Sequence, residues 1–250
     1  MDPDKLWNHL SAVEFFATHR DTPDGLYRSE ARLLAELLAP GLRVLDVGCA
    51  AGSFLAVLRT YQPDLDYTGV DCSALMIDAA RRRFPGVRFE VAEGDRLPFQ
   101  DGSFDLVICT GGTLVTILRW REVLHECWRV TGDKFLFDLR VVANGENLED
   151  VTRSWVRLAF DGEPDQAPVA PYVIINAATF YEAMSAFQPR PAHVRGFGYH
   201  HPVSEMATTP HREVCMVQIG LTKQTIDRLP ALQWDVPFPW PARQSGTGRA

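Results

Sequence analysis

The residues best suited to do chemistry lie in the stretch 44–54, where an apolar run ends in an acid and small residues follow. Asp46 precedes Gly48, and three small or apolar residues separate Gly48 from Gly52. Residues with little or no side chain let a backbone pass close to a ligand. The spacing differs from the G-x-G-x-x-G fingerprint of dinucleotide-binding proteins, and a carboxylate here would repel a pyrophosphate. The stretch therefore predicts a strand, a turn and a helix that bind a cationic, phosphate-free nucleoside.

The sequence of this loop resembles a known motif. Asp46-Val47-Gly48-Cys49-Ala50-Ala51-Gly52 is similar to the D-x-G-C-G-x-G motif of class I S-adenosylmethionine-dependent methyltransferases, and it departs from that motif at Ala50. The resemblance implies that S-adenosylmethionine is the cofactor and S-adenosylhomocysteine the product. It also implies that the loop contacts the cofactor through Asp46, Gly48, Cys49, Ala50 and Gly52. An ordinary strand-to-helix turn of another α/β protein is the alternative.

An acid follows the second predicted strand. Asp71 ends the run 67–71, about 20 residues after the glycine loop, where a carboxylate can accept hydrogen bonds from ribose hydroxyls. It also matches the ribose-binding acid of the methyltransferases that the loop resembles. The alternative role of Asp71 is that of a helix N-cap. The same resemblance places Cys72 and Met76 against the adenine.

A second motif lies farther along the chain. The segment Ala92–Asp105 resembles the G-D-A-x-x-L-P-F-x-D-G-S-F-D sequence of the same family. Alignment on its Leu-Pro-Phe step implies that Glu93 binds the adenine amino group and that the backbone N–H of Gly94 faces the ring. Asp95, two residues on, is the competing choice for the adenine acid.

Two further pairs of residues are expected near the methionine part of the cofactor. Tyr27 and Arg28 precede a predicted helix, where the family often has an aromatic or basic residue that closes over the cofactor. A surface position is the alternative for both. Thr110 and Gly111 follow the fourth predicted strand, where the resemblance implies that the chain turns around the sulfonium.

The sequence contains fewer signals for the residues that bind the methyl acceptor. A general base is useful when the acceptor nucleophile carries a proton, and His200, Tyr199 and Tyr172 are the predicted catalytic residues. Because neighbours on a strand point to opposite faces, His200 and His201 cannot both face one acceptor. Each histidine alone is equally consistent with a structural or surface role. Aromatic residues are expected to line the acceptor pocket: Trp155, Phe160, Tyr172 and Tyr199.

The elements around these residues alternate between strand and helix patterns. The expected fold is α/β, with a doubly wound, mostly parallel, seven-stranded Rossmann-like sheet, helices on both faces and an antiparallel last strand. The predicted organisation is as follows: helices covering the cofactor site over 1–40, the cofactor-binding core over 41–140, a variable acceptor-side insertion over 141–177, the last helix and strands over 178–223, and a proline-rich tail over 224–250. The segment 171–176 is predicted to form an added strand, and helices are predicted over 28–38, 120–130 and 180–187.

Composition restricts the class of protein. A net charge of −7 disfavours a nucleic-acid partner, which usually requires a concentrated basic face. No apolar run reaches the ~20 residues that a membrane span requires, and the first residues lack a signal-peptide pattern, so a cytoplasmic protein is expected. Five scattered cysteines without C-x-x-C spacing predict reduced thiols and no metal site.

The sequence therefore predicts transfer of a methyl group from S-adenosylmethionine to a small organic acceptor, through an O, N, S or C nucleophile. Two alternatives remain: an enzyme of the same fold that uses the cofactor differently, and a protein that binds the nucleoside without turnover. An RNA or protein methyltransferase is disfavoured by the acidic charge.

Overall fold

The computed structural model describes residues 6–160, 167–225 and 230–240. Its strands are β1 Leu42–Val47, β2 Leu65–Asp71, β3 Arg88–Val91, β4 Phe104–Cys109, β5 Thr131–Val142, β6 Trp155–Arg157, β7 Val169–Pro171, β8 Ile175–Asn176, β9 His193–Pro202, β10 Ala207–Thr208, β11 Glu213–Thr222 and β12 Leu232–Asp235. Its α-helices in the described ranges are α1 Leu10–Thr18, α2 Arg28–Leu37, α3 Ser53–Tyr61, α4 Ala74–Arg83, α5 Trp120–Val130 and α6 Ala177–Ser185.

The main sheet has the order β12-β9-β11-β5-β4-β1-β2-β3. The pairs β1–β2, β1–β4, β2–β3 and β4–β5 are parallel, whereas β11 is antiparallel to both β5 and β9. The predicted α/β fold with an antiparallel seventh strand is therefore confirmed. Because β1, β2 and β4 all end at the same edge, the loops that follow them meet there.

The helices cover both faces of this sheet with apolar side chains. On one face, α5 and α6 bury the largest side chains, Trp120, Trp128 and Phe180. On the other face, Leu33 and Leu34 of α2 pack with α3 and α4. Because the apolar faces of these helices are buried against the sheet, the loops at the carboxyl ends of the strands start from fixed positions.

Two short additions were not predicted in their observed form. The expected single strand over 171–176 is divided, because Pro171 belongs to β7 of a separate sheet, ordered β10-β6-β7, while Ile175 of β8 pairs with Val141 of β5. Between them, the N–H of Val173 donates to the carbonyl of Val115 at 2.7 Å. The chain therefore crosses from the small sheet to the large one at this point.

The proline-rich tail adds an edge strand. β12 pairs in parallel with β9, and Phe238 beyond it is 4% exposed among core side chains. An edge position suits this segment because prolines interrupt interior ladders. The end of the predicted proline-rich tail, residues 241–250, lies outside the described residues. No helix in the described ranges is both long enough and apolar enough to cross a bilayer.

Candidate functional site

A cavity of about 860 Å³ lies where β1, β2 and β4 end. Most of the residues predicted to bind the cofactor line it: Tyr27, Asp46, Gly48, Cys49, Ala50, Asp71, Cys72, Met76, Glu93, Gly94, Thr110 and Gly111. The predicted catalytic residue Tyr172 lines it as well. Sequence motifs separated by more than 60 residues thus converge on one concave surface.

The glycine loop adopts the backbone that its residue types favour. Gly48 has φ +79°, and a side-chain carbon there would lie 2.5 Å from Oγ1 of Thr113. Gly52 has φ +78° and precedes α3, so it supports the turn but does not line the cavity. Ala50 has φ +46°, a region that costs an L-residue roughly 1–2 kcal/mol. This alanine with a positive φ stands at the position where the family motif has glycine.

Asp71 holds the same loop in place. Its two carboxylate oxygens accept hydrogen bonds from the N–H of Ala50 at 3.0 Å and the N–H of Ser73 at 2.9 Å. Burial raises the pKa of Asp71, and these two backbone hydrogen bonds oppose that rise. A carboxylate has about four lone-pair sites, so both oxygens can also accept a ligand hydroxyl.

Asp46 is 4% exposed and lies at the end of β1. It accepts a hydrogen bond from the hydroxyl of Tyr67 at 2.7 Å. Burial raises the pKa of Asp46 to about 7, against the effects of Tyr67 and Arg20. The carboxyl group is therefore poised to ionise when a cation enters the cavity.

The two competing acids after β3 point in different directions. Glu93 lines the cavity, whereas Asp95 does not line it and forms an ion pair of 2.7 Å with Arg119. Two side chains of α5 hydrogen-bond to the loop that follows. Glu126 accepts from the N–H of Leu97 at 3.0 Å, and Arg129 donates to the carbonyl of Phe99 at 2.8 Å. These bonds fix the position of Leu97-Pro98-Phe99.

A buried ion pair that sequence reasoning missed lies beside the glycine loop. Arg20 lines the cavity and pairs with Glu30, whose side chain is fully buried. The guanidinium stacks over Tyr27, with 4.7 Å from its carbon to the ring centroid. Gly111 leaves room for it, because a side-chain carbon at Gly111 would meet Nη1 of Arg20 at 2.1 Å. Burial opposes the charge of Arg20, but Glu30 outweighs it and raises the pKa of the arginine.

A second buried ion pair, also missed, lies on β5. Arg140 is 7% exposed, and its Nη1 donates to Asp138 at 2.6 Å. Residues two apart on a strand share a face, so this charged pair within an otherwise apolar run is a signal that could have been used. Tyr172 is 8% exposed beside Arg140, and burial raises the pKa of its phenol.

Aromatic side chains close one side of the cavity. Phe15 and Phe16 of α1 contact Phe160 of the insertion, with ring centroids 4.9 Å and 5.3 Å from that of Phe160. His19 also lines the cavity, and burial followed by the charge of Arg20 lowers its pKa. Phe160 was predicted to line the acceptor pocket, and helices over 1–40 were predicted to cover the cofactor site. The side chains of α1 that line the cavity were not identified, because local periodicity does not reveal what the apolar face of a helix covers.

Several predicted residues are not brought to the cavity. His200 has a side chain 60% exposed and pairs with Glu213 at 2.9 Å, so its predicted role as base is corrected. Tyr199 lies outside the lining and stacks with Arg28, which is exposed and outside it too. β9 pairs with β11 along its whole length up to Pro202. This pairing keeps the end of β9, with Tyr199 and His200, away from the cavity.

Three other side chains from the same part of the chain, Asn176, His201 and Trp155, also lie outside the cavity lining. Asn176 caps α6 by accepting from the N–H of Thr179 at 2.9 Å, and the ring Nδ1 of His201 contacts the carbonyl of Pro202 at 2.5 Å. Trp155 on β6 does not line the cavity. Across the described ranges, no group of three or more His, Cys, Asp and Glu side chains is arranged to hold a metal ion.

Comparison with known proteins agrees with this geometry. Residues 44–134 match a family model described as a methyltransferase domain. This part of the chain is thus similar to a methyltransferase domain. The predicted resemblance is therefore confirmed, and the methyltransferase domain matches the part of the chain from β1 to the start of β5.

Two sequence relatives of this chain are named methyltransferases, and a solved structure shares its fold. A demethylmenaquinone methyltransferase of Deinococcus radiodurans is 36% identical over 92 residues, which cover 35% of this chain and 38% of that protein. A trans-aconitate 2-methyltransferase of Methylobacterium nodulans is 43% identical over 67 residues, 26% of each chain. A crystal structure of a SAM-dependent methyltransferase from Methanosarcina mazei shares the fold, with a TM-score of 0.57, 17% identity, and coverage of 80% of this chain and 99% of that one. The chain thus spans well under half the length of these two sequence relatives.

Proposed function

We propose that this protein transfers a methyl group from S-adenosylmethionine to a small organic acceptor. The observation that carries the proposal is the convergence of the glycine loop, Asp71 and Glu93 on one cavity. The names of the sequence relatives support a small-molecule acceptor, since they refer to demethylmenaquinone, trans-aconitate and fatty acid.

The described residues fit this cofactor. Gly48 presents bare backbone to the cavity, as a close ligand approach requires, although the atom that a side chain there would meet belongs to Thr113. We assign the ribose hydroxyls to Asp71 and the adenine amino group to Glu93. Asp46 would meet the cationic amino group of the methionine part, and Arg20 its carboxylate, because both line the cavity beside the loop.

The bound cofactor supplies an electrophilic methyl group on a sulfonium. The protein orients the acceptor and excludes water, for which the apolar wall formed by Val115, Val156 and Tyr172 is suited. Where the acceptor carries a proton, His19 is the assigned base: its lowered pKa keeps the imidazole neutral near pH 7. An acceptor that is already ionised needs no base.

The proposal is tested by binding and by product analysis. We expect calorimetry to detect binding of S-adenosylhomocysteine to the purified protein. We also expect incubation with S-adenosylmethionine and a panel of small acids, phenols, amines and thiols to release S-adenosylhomocysteine. Mass spectrometry should then find an acceptor carrying one additional methyl group. Methylation seen only with RNA or protein would overturn the small-molecule proposal.

The assignment of Glu93 leads to a separate prediction. Glu93→Ala should weaken binding of S-adenosylhomocysteine by about 10- to 150-fold, because a hydrogen bond to a charged group is lost. Asp95→Ala should change it by less than about 2-fold, because Asp95 does not line the cavity and forms an ion pair with Arg119, which does. Calorimetry on the two variants compares the same chemical change at neighbouring positions. The reverse order of effects would show that the alignment is displaced by two residues.

A further inference from the structure

A buried arginine lies in the part of the cavity that the cofactor assignment does not use. Arg140 lines the cavity from β5, while Asp71 and Glu93 follow β2 and β3. In the sheet, β5 lies beyond β4, on the opposite side of β1 from β2 and β3. Arg140 therefore stands at the far end from the nucleoside, where a methyl acceptor has room to bind.

The charge of Arg140 is only partly satisfied by the protein. Its Nη1 donates to Asp138, the guanidinium also hydrogen-bonds Tyr172, and its carbon lies 5.5 Å from the ring centroid of Tyr27, which together leave some of its five N–H donors unused. Asp138 is itself shared, because its second oxygen faces the N–H of Gly112 at 3.4 Å. Since Arg140 lines the cavity, its guanidinium offers donors to a ligand there.

Tyr172 gives this end of the cavity a second donor. Its side chain lies against Arg140, and burial keeps the phenol protonated at neutral pH. A guanidinium and a phenol side by side match the two oxygens of a carboxylate. The wall beside Tyr172 is apolar, because Val115 and Val156 line the cavity and belong to the same cluster of apolar side chains as Tyr172.

Arg140 is not the cation nearest to the glycine loop. Arg20 lies against Gly111 and acts electrostatically on Asp46, at the ends of β4 and β1. A carboxylate on the methionine part of the cofactor is therefore matched by Arg20. Arg140 is left to recognise a different anion.

We propose that the acceptor is an organic acid with an apolar body, and that Arg140 and Tyr172 bind its carboxylate. This inference rests on the proposed function, because it assigns the cofactor to the other end of the cavity. A neutral analogue of the same shape would leave the buried guanidinium and phenol without a partner. Sites of this kind reject such analogues strongly.

Calorimetry with matched ligands tests the inference. Hexanoate, decanoate and phenylacetate are each titrated beside the corresponding primary amide, with and without saturating S-adenosylhomocysteine. At least one acid should bind about 10- to 100-fold more tightly than its amide. Arg140→Gln should remove that preference while changing the affinity for S-adenosylhomocysteine by less than about 3-fold. Arg153→Gln is the control, since Arg153 is exposed and pairs with Glu146.

Other outcomes separate this inference from the proposed function. Equal binding of acid and amide, binding of no acid, or equal loss of S-adenosylhomocysteine affinity in Arg140→Gln would each overturn the carboxylate site. If Arg140→Gln unfolds because Asp138 is left unpaired, the double variant Arg140→Gln/Asp138→Asn removes both charges and carries the same expectation. Acid binding that depends on Arg140 without any binding of S-adenosylhomocysteine would uphold the site and overturn the proposed function.

Discussion

An Asp71→Ala variant is expected to bind S-adenosylhomocysteine roughly 30- to 1,000-fold less tightly than the parent protein. The loss corresponds to about 2–4 kcal/mol, because two hydrogen bonds from ribose hydroxyls to one carboxylate disappear together. The loop also relaxes, since the same carboxylate accepts from the N–H groups of Ala50 and Ser73. Calorimetry well below the unfolding temperature measures the affinity.

The matched control is Asp78→Ala on α4. Asp78 is exposed and pairs weakly with Arg81 at 3.5 Å, so the same substitution there should leave the affinity unchanged. Thermal unfolding of both variants separates a loss of ligand contacts from a loss of folding. An Asp71→Ala protein that binds as tightly as its parent would contradict the ribose assignment.

Arg20→Met is expected to lower the free energy of unfolding by about 3–5 kcal/mol. The reason is that Glu30 is fully buried, and removing its partner leaves a carboxylate without a counter-charge. Oε1 of Glu30 already has no hydrogen-bond partner among the described residues. The change should lower the unfolding temperature by on the order of 10 °C.

A double variant makes this prediction specific. Arg20→Met/Glu30→Gln removes both charges and keeps an acceptor for the N–H of Tyr27, which Glu30 now accepts at 3.3 Å. Denaturant unfolding should show that the double variant recovers most of the lost stability, to within about 1–2 kcal/mol of the parent. A single Arg20→Met variant as stable as the parent would show that Glu30 does not depend on this ion pair.

Local motifs in the sequence were sufficient to predict the residues to which we assign the nucleoside. Gly48 and Gly52 lie within five residues of one another, Asp71 ends β2, and Glu93 lies two residues after the end of β3. Such features depend on backbone conformation and on the alternation of strands and helices, which short-range sequence governs. For the same reason α5 was predicted over 120–130 and is observed as Trp120–Val130.

Which other residues line the cavity depends on contacts between segments that are far apart in the chain. Phe15 and Phe160 meet across the cavity, and Tyr172 lies beside Arg140, although each pair is separated by more than 30 residues. His200 has a residue type suited to catalysis, yet the register of β9 with β11 places it opposite Cys215 and out to solvent. A residue's type states what it can do, but only packing determines which groups it meets.

The sequence by itself determined the fold class, the family resemblance and the loops to which we assign the nucleoside. Only the tertiary structure decided which charges are buried. Arg20 looks like an ordinary surface arginine in the sequence, and Arg140 differs only in its apolar neighbours, but folding places each against a carboxylate within the cavity wall. The physical reason is that burial and pairing are properties of the assembled core, where the free energy of a charge depends on every group packed around it.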